Sequence, residues 1–304
     1  MTVHSVAILL ATYNGAEYIR EFLDSLIAQT YTDFKLIVRD DGSTDDTLKI
    51  IRNYSSRIKI DFIETNVRLG PAKSFFELLT HAHDDYDFYF FADQDDYWHK
   101  SKIERAVAKL SAEKENVALY CSRLDYVDED LAHIKYSIIP RVVALENALV
   151  ENIATGCTSA ITRSARRLIV DHPPGQIIMH DWWFYIVIAA FGKVIYDEFP
   201  SIKYRQHSSN MIGAATNLFH DFKRRLNRFI RSDGGIFGLA TQAMEFKRCF
   251  AWLLAEQQLE LVNSIINAKI HIVKRLQLAL FSRFVRQRWG DTLILRILFL
   301  VGRF

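Results

Sequence analysis

Phe90-Phe91-Ala92-Asp93-Gln94-Asp95-Asp96-Tyr97-Trp98 is the stretch on which the fold is read. The apolar, aromatic run that leads into it, Tyr86 to Phe91, predicts a buried strand. Three carboxylates then fall within four positions, where that strand should end. Like charges this close repel one another. A hard divalent cation bound through oxygen offsets the repulsion most simply, and one held by few carboxylates keeps positions open for phosphate oxygens. The plain alternative is a solvated acidic loop after a core strand.

Upstream, Ser5–Ala11, Phe34–Val38 and Ile58–Ile63 read as further strands, each followed by a helical pattern. The first helix carries Tyr18, Ile19, Phe22, Leu23 and Leu26 on one face. Ser43 or Thr44 can cap the next, and Pro71 opens another. A helix over about 101–110 and a strand Val117–Cys121 follow. Strands alternating with helices predict a mostly parallel sheet. Ligands of such sheets bind outside the carboxyl ends of the strands. Thr12–Asn14, Asp40–Ser43 and Asp93–Asp96 all fall there. Each alone is ordinary turn chemistry; together at one edge they point to a site.

Beyond residue 150, Thr155–Ile161 reads as a strand. His180-Asp181-Trp182-Trp183 opens an apolar helix through Ala190, and Lys193–Tyr196 and Ser201–Tyr204 read as two short strands. Asp181 is either a helix cap or a carboxylate whose aromatic surroundings suit it to act as a base.

The chain has 304 residues, half of them hydrophobic, and a net charge of +2, which excludes wholesale nucleic-acid binding. The charge is unevenly placed. Residues 211–304 hold 15 Lys and Arg against 6 Asp and Glu, leaving 23 against 30 in residues 1–210. The expected division is therefore an α/β domain over 1–210, with halves 1–121 and 122–210, and a basic helical tail over 211–304. In the tail Leu218, Phe219, Phe222, Leu226, Phe229 and Ile230 oppose Lys223, Arg224, Arg225, Arg228 and Arg231 at helical spacing. That pattern reads as membrane-surface binding, with a packed helix as the alternative. One long helical stretch is expected over about 245–289, then an apolar piece, Thr292–Phe304. Cys121, Cys157 and Cys249 have no CxxC spacing and fit a reducing compartment. The start of the chain lacks a basic, apolar leader, and no uncharged apolar run reaches the ~18 residues of a membrane span.

Four motifs in order, Ala11-Thr12-Tyr13-Asn14-Gly15, Gln29-Thr30-Tyr31, Asp40-Asp41-Gly42-Ser43-Thr44-Asp45 and Asp93-Gln94-Asp95-Asp96, resemble the inverting family 2 glycosyltransferases over about residues 4–210. Thr155-Gly156-Cys157, His180-Asp181-Trp182-Trp183 and Tyr204-Arg205-Gln206-His207 are similar to the bacterial rhamnosyltransferases of surface polysaccharides. The resemblance implies the GT-A fold, a Rossmann-like, mostly parallel sheet flanked by helices. It implies that Asp41 accepts from the imino N–H of a uracil or thymine. Thr12, Tyr13 and Asn14 would line the nucleotide pocket, and Lys73 and Arg205 would contact the donor. Asp93, Asp95 and His207 would hold Mg²⁺ or Mn²⁺, and Asp181 would be the general base. The implied partners are a dTDP- or UDP-sugar, a lipid-linked glycan acceptor and the inner face of a bacterial plasma membrane reached through the tail. A homo-oligomer is compatible with this reading.

A phosphatase of the haloacid dehalogenase type also uses Asp-x-Asp after a strand. It wants Thr or Val where this chain has Tyr97, and it wants the motif on the first strand rather than the fourth. The presence of Asp93, Asp95 and Asp181 together argues against a non-catalytic nucleotide-sugar-binding protein.

Overall fold

The computed structural model describes residues 4–65, 67–114, 116–206 and 238–304. His207 and the amphipathic segment 218–231 lie outside the described residues.

Among the described residues, nine strands form one sheet. They are β1 (Val6–Thr12), β2 (Phe34–Asp40), β3 (Ile60–Ile63), β4 (Phe88–Ala92), β5 (Tyr97–Trp98), β6 (Ala118–Val127), β7 (His133–Tyr136), β8 (Ala160–Thr162) and β9 (Lys193–Arg205). The order is β3-β2-β1-β4-β8-β6-β9-β5, with β7 paired to β6. The block β3-β2-β1-β4 is parallel throughout. β8 joins it antiparallel to both β4 and β6, and β6 and β9 run parallel.

The parallel block follows from the sequence. β1 is buried along almost its whole length and β4 along all of it, so their near-continuous apolar runs suit a sheet covered on both faces. The helix α1 (Ile19–Ile27) buries Ile19, Phe22, Leu23 and Leu26 at three- and four-residue spacing. The helices α2 (Thr47–Asn53) and α3 (Pro71–His81) complete the crossovers, and α4 (Lys102–Leu110) leads into β6. One core cluster joins residues of β1, β2 and β4 to α1, α2 and α4.

Register brings the polar loops together. Thr12 pairs with Asp40 across β1 and β2, and Leu10 pairs with Ala92 across β1 and β4. The chain leaves all three strands at the same edge, within two residues of one another.

Two of the expected strand assignments differ from the structure. Lys193–Arg205 is one strand, not two. Pro200 has no N–H to give to the ladder, and the register against β6 shifts between Ser122 and Leu124, where Pro200 pairs with Arg123. Thr155–Ile161 is mostly not strand. Gly156–Thr158 is a 3₁₀ turn, and only Ala160–Thr162 pairs. The Thr155 carbonyl accepts from the Thr158 N–H and from the hydroxyls of Thr158 and Ser159, so local bonds replace the ladder.

The remaining α-helices among the described residues are α5 (Leu145–Ala148), α6 (Arg163–Asp171), α7 (His180–Phe191), α8 (Leu239–Phe250), α9 (Glu256–Ile270), α10 (Ile272–Phe281) and α11 (Trp289–Val301). The long helical stretch expected over 245–289 is thus interrupted. The chain turns after Phe250, and His271 is extended at φ −111° and ψ 122°. The compact units do not follow one cut in the sequence. Pro140–Ile153 and His172–Ala190 group with the C-terminal helices, and the sheet forms the other unit. No described helix is long and apolar enough to cross a membrane.

Candidate active site

Of the three strand-end loops, that after β1 is stitched to its neighbours almost entirely through its backbone. The Asn14 N–H donates to Ser43 Oγ at 2.8 Å, and the Gly15 N–H donates to Thr47 Oγ1 at 2.8 Å. The Ala16 N–H donates to Asp45 at 3.0 Å, and Asn14 Oδ1 accepts the Thr44 N–H at 2.8 Å. Asn14 itself takes φ 47°, a left-handed conformation that Asn tolerates better than most residues. Thr12 is buried, and its hydroxyl donates to Asp40 at 2.9 Å. The other Asp40 oxygen accepts the Gly42 and Ser43 N–H groups. Tyr13 stays exposed, with the Arg68 guanidinium 4.0 Å over its ring. That leaves an aromatic face and a cation at the edge of the site.

Asp41 is a buried anchor. Its carboxylate accepts from Arg39 at 2.7 Å and from the Leu69 and Gly70 N–H groups at 2.6 and 2.8 Å. Burial alone would raise its pKa. The Arg39 hydrogen bond and the two backbone donors outweigh that and hold it below the usual carboxylate range. A carboxylate has about four acceptor sites; the Ser74 hydroxyl lies 3.5 Å from Asp41 but has a nearer acceptor in the Gly70 carbonyl at 2.8 Å, which leaves Asp41 capacity for one more donor. Lys73 is exposed in the first turn of α3.

The acidic motif divides by depth. Asp93 and Asp95 are half-buried, while Asp96 is fully enclosed. Among the described residues neither Asp96 oxygen finds a well-formed hydrogen-bond partner, and the Cys157 thiol beside it is only a weak one. Burial, then the charges of Asp95 and Asp93, push the Asp96 pKa well above its usual value. Ligand atoms of Asp93, Asp96 and Cys157 lie within 4.8 Å of one another. A cation fits this set, because it would satisfy the Asp96 oxygens, which the described residues leave without a well-formed donor. Lys102 is buried beneath the motif, its ammonium 4.6 Å over the Trp98 ring, and burial lowers its pKa to about 8.

Arg205 is buried rather than presented to a ligand. It donates to the Asp95 carbonyl at 3.1 Å and to the Glu129 carbonyl, and it pairs with Glu21. Its contacts hold the backbone of the acidic motif.

Sequence reasoning missed Gln94. Its side chain accepts the Tyr13 N–H and donates to the Tyr13 carbonyl, both at 3.0 Å. It lies so close to Gly15 that a Cβ there would sit 2.2 Å from its oxygen. Only its position between two carboxylates hinted at a role. Arg39 and Lys102 were missed as well, since nothing in a sequence marks a cation that folds inward.

In the other unit, Asp181 is half-buried in the first turn of α7, and its Oδ1 accepts the Trp182 N–H at 2.6 Å. The Trp182 indole donates to the Ala148 carbonyl at 2.7 Å, and Trp183 packs against Phe246 and Phe250. The two Trp side chains therefore hold the turn that carries the carboxylate. Neighbouring His180 is buried, and burial lowers its pKa to about 3.

An open α/β sheet whose strand-end loops converge on an acidic motif and an aromatic platform defines a GT-A transferase site. The fold agrees: Staphylococcus aureus TarS 1–349, solved with UDP-GlcNAc, superposes with a TM-score of 0.62 at 17% identity, covering 98% of this chain and 81% of that one. Residues 7–172 match the model of glycosyl transferase family 2, and the chain belongs to that family. It is 31% identical over 234 residues to the dTDP-rhamnosyl transferase RfbG of Shigella flexneri, covering 71% of this chain and 77% of that protein. It is 25% identical over 232 residues to the UDP-Glc:alpha-D-GlcNAc-diphosphoundecaprenol beta-1,3-glucosyltransferase WfgD of Escherichia coli, covering 74% of this chain and 85% of that protein.

Proposed function

We propose that the protein is an inverting hexosyltransferase that moves L-rhamnose from dTDP-rhamnose onto a lipid-linked precursor of a surface polysaccharide. The observation that carries this reading is the register that brings Thr12–Asn14, Asp40–Ser43 and Asp93–Asp96 to one sheet edge. The 31% likeness to a dTDP-rhamnosyl transferase supports the donor. The likeness to a glucosyltransferase acting on a diphosphoundecaprenol-linked sugar supports the acceptor.

In this reading Tyr13 stacks on a pyrimidine, whose imino N–H donates to the remaining acceptor site of Asp41, with Thr12 and Asn14 shaping the pocket. Lys73 reaches the donor from α3, and Arg205 fixes the backbone of the acidic loop. Asp181 accepts the proton of the acceptor hydroxyl. The freed oxygen bonds to the anomeric carbon from the face opposite the diphosphate. The anomeric C–O bond breaks, and its electron pair leaves with the nucleotide. Mg²⁺ or Mn²⁺ would be held by Asp93 and Asp95 with Asp96 behind them, and supplies positive charge for the leaving diphosphate when bound. The enzyme works at the cytoplasmic face of a membrane.

The test is release of nucleoside diphosphate by the pure protein from dTDP-rhamnose, UDP-glucose, UDP-GlcNAc and GDP-mannose. Turnover of dTDP-rhamnose is expected to be fastest. Preference for a UDP-hexose would replace the donor, GDP binding tighter than UDP and dTDP would overturn the Asp41 role, and binding without turnover of any donor would leave a nucleotide-sugar-binding protein.

A further inference from the structure

Helices α10 and α11 each bury one apolar face and leave a second one open. In α11, Leu295, Leu298 and Phe299 are buried. Trp289, Leu293, Ile297, Leu300 and Val301 are exposed at spacings of four, four, three and one, which is one stripe along the helix. In α10, Leu278 and Ala279 are buried, while Ile272, Val273, Leu276 and Leu280 form a second exposed stripe. Phe281 is 82% exposed and Trp289 78%. Water-facing aromatics and aliphatics in such numbers mark a docking surface.

The charges beside these stripes are mostly basic. Residues 271–304 carry seven Lys and Arg and one acidic residue, Asp291. Trp289 and Leu293, the start of the α11 stripe, also line a cavity of about 440 Å³ with Arg141, Arg286, Arg296 and Thr292. Part of this cavity is internally braced. Gln287 bonds to the Arg141 and Val142 backbone, Glu151 accepts the Gln287 N–H at 2.6 Å and lies 3.7 Å from Arg286, and Thr292 accepts the Arg286 N–H at 2.9 Å. Arg296 differs from Arg286 in having no ion pair among the described residues, and its buried Nε has no hydrogen-bond partner among them. Three guanidinium groups against one carboxylate leave the cavity with an excess of positive charge, suited to a phosphate.

We infer that α10 and α11 lie in the surface of an anionic membrane, their apolar stripes among the acyl chains and a lipid headgroup phosphate in the Arg141–Arg286–Arg296 cavity. Apolar stripes, a Trp at one end and a basic rim are what an interfacial helix requires. Charge decides against a second copy of this chain as occupant, because pairing two such faces would bring basic surface onto basic surface. The inference deepens the lipid-linked acceptor reading, since it brings the enzyme to the surface where such an acceptor sits. Its test does not depend on that reading.

Full-length protein is floated with vesicles of phosphatidylcholine alone and of phosphatidylcholine mixed with phosphatidylglycerol. Turnover on a soluble acceptor is followed in parallel, so a failed transfer reading shows there alone. Binding to the anionic vesicles is expected, weakening with salt. The exposed pair Leu293→Ser and Ile297→Ser should lower vesicle affinity by about tenfold or more, with turnover and melting temperature unchanged. Arg141→Gln, at an exposed site, and Arg296→Gln should remove most of the preference for phosphatidylglycerol while sparing the residual binding to phosphatidylcholine. The inference is overturned by absence of flotation at low salt, or by variants that float like the parent. It is equally overturned by concentration-dependent self-association, without vesicle binding, that the Leu293 and Ile297 substitutions abolish.

Discussion

The strand-end loops and the α10–α11 face use polar side chains in opposite ways. At the sheet edge the chain meets its own demands: Asn14, Asp40, Asp41, Asp45 and Gln94 are held by backbone N–H groups or side chains of neighbouring loops. Charge is matched there by Arg39 and Arg205, which are buried. Around α10 and α11 the arginines gather beside exposed aliphatic and aromatic groups. The first arrangement is rigid before a ligand arrives, so binding energy is not spent on ordering loops. The second is complete only against a partner that supplies both apolar volume and negative charge.

The largest effect that separates the two regions belongs to the acidic motif. Asp95→Asn should reduce transfer by about 10³-fold or more, and chelation of divalent cations should do the same to the parent enzyme. Flotation with anionic vesicles should be untouched by either. Transfer at the parental rate, in the mutant or with excess chelator, would show that the motif holds no functional cation.

A proton-transfer role predicts the next effect. Asp181→Asn should lower kcat by about 10²–10⁴-fold while donor affinity, read by calorimetry, stays near that of the parent. Collapse of donor affinity with turnover per bound donor preserved would mean that Asp181 only holds the start of α7.

Rigidity at the sheet edge can be probed through Gln94 and Gly15. Gln94→Ala deletes both bonds to Tyr13 and should weaken nucleotide binding by about tenfold, the value of one or two hydrogen bonds. Gly15→Ala forces a Cβ into the Gln94 side chain and should also weaken binding. The double substitution removes that clash, so its loss should be smaller than the two single losses combined. Strict additivity, measured by nucleotide titration of all four proteins, would show that the two loops act independently.

The remaining expected effect is on stability, at Asp41. Its pKa is lowered in the folded chain, so the stability it contributes is present above the ordinary Asp value and is lost as pH falls through the folded value. Acid unfolding of the parent below about pH 4 should therefore include a contribution that Asp41→Asn lacks. At neutral pH that substitution leaves Arg39 buried beside a neutral partner, which should cost about 3 kcal/mol in denaturant melts. Equal pH profiles for the two proteins would place the acid-sensitive charge elsewhere.

Much of this was legible in the residues alone. Continuous apolar runs such as Val6–Leu10 and Phe88–Ala92 can be buried only between two layers of helix, so the parallel block follows from patterning. The loops after β1, β2 and β4 follow from it, because parallel strands all end at one edge. Family membership was legible for the same reason, since its motifs are those loops. The interior partners were not. Arg39, Lys102 and Arg205 look like any surface cation in a sequence, and only the packed fold turns them inward. The breaks between α8, α9 and α10 left no mark either, because no Gly or Pro occurs from Leu239 to Trp289.

The sequence by itself determined the strands and helices of the parallel block, the acidic motif and its neighbours, and the family, because these depend on residues near one another along the chain. Tertiary structure alone decided that Asp96 is sealed in while Asp93 and Asp95 are only half-covered, that Gln94 clasps Tyr13 eighty-one residues away, and that α10 and α11 keep an apolar face outward. Each of those is a matter of which surfaces remain after packing, and burial is a property of the whole fold rather than of any stretch within it.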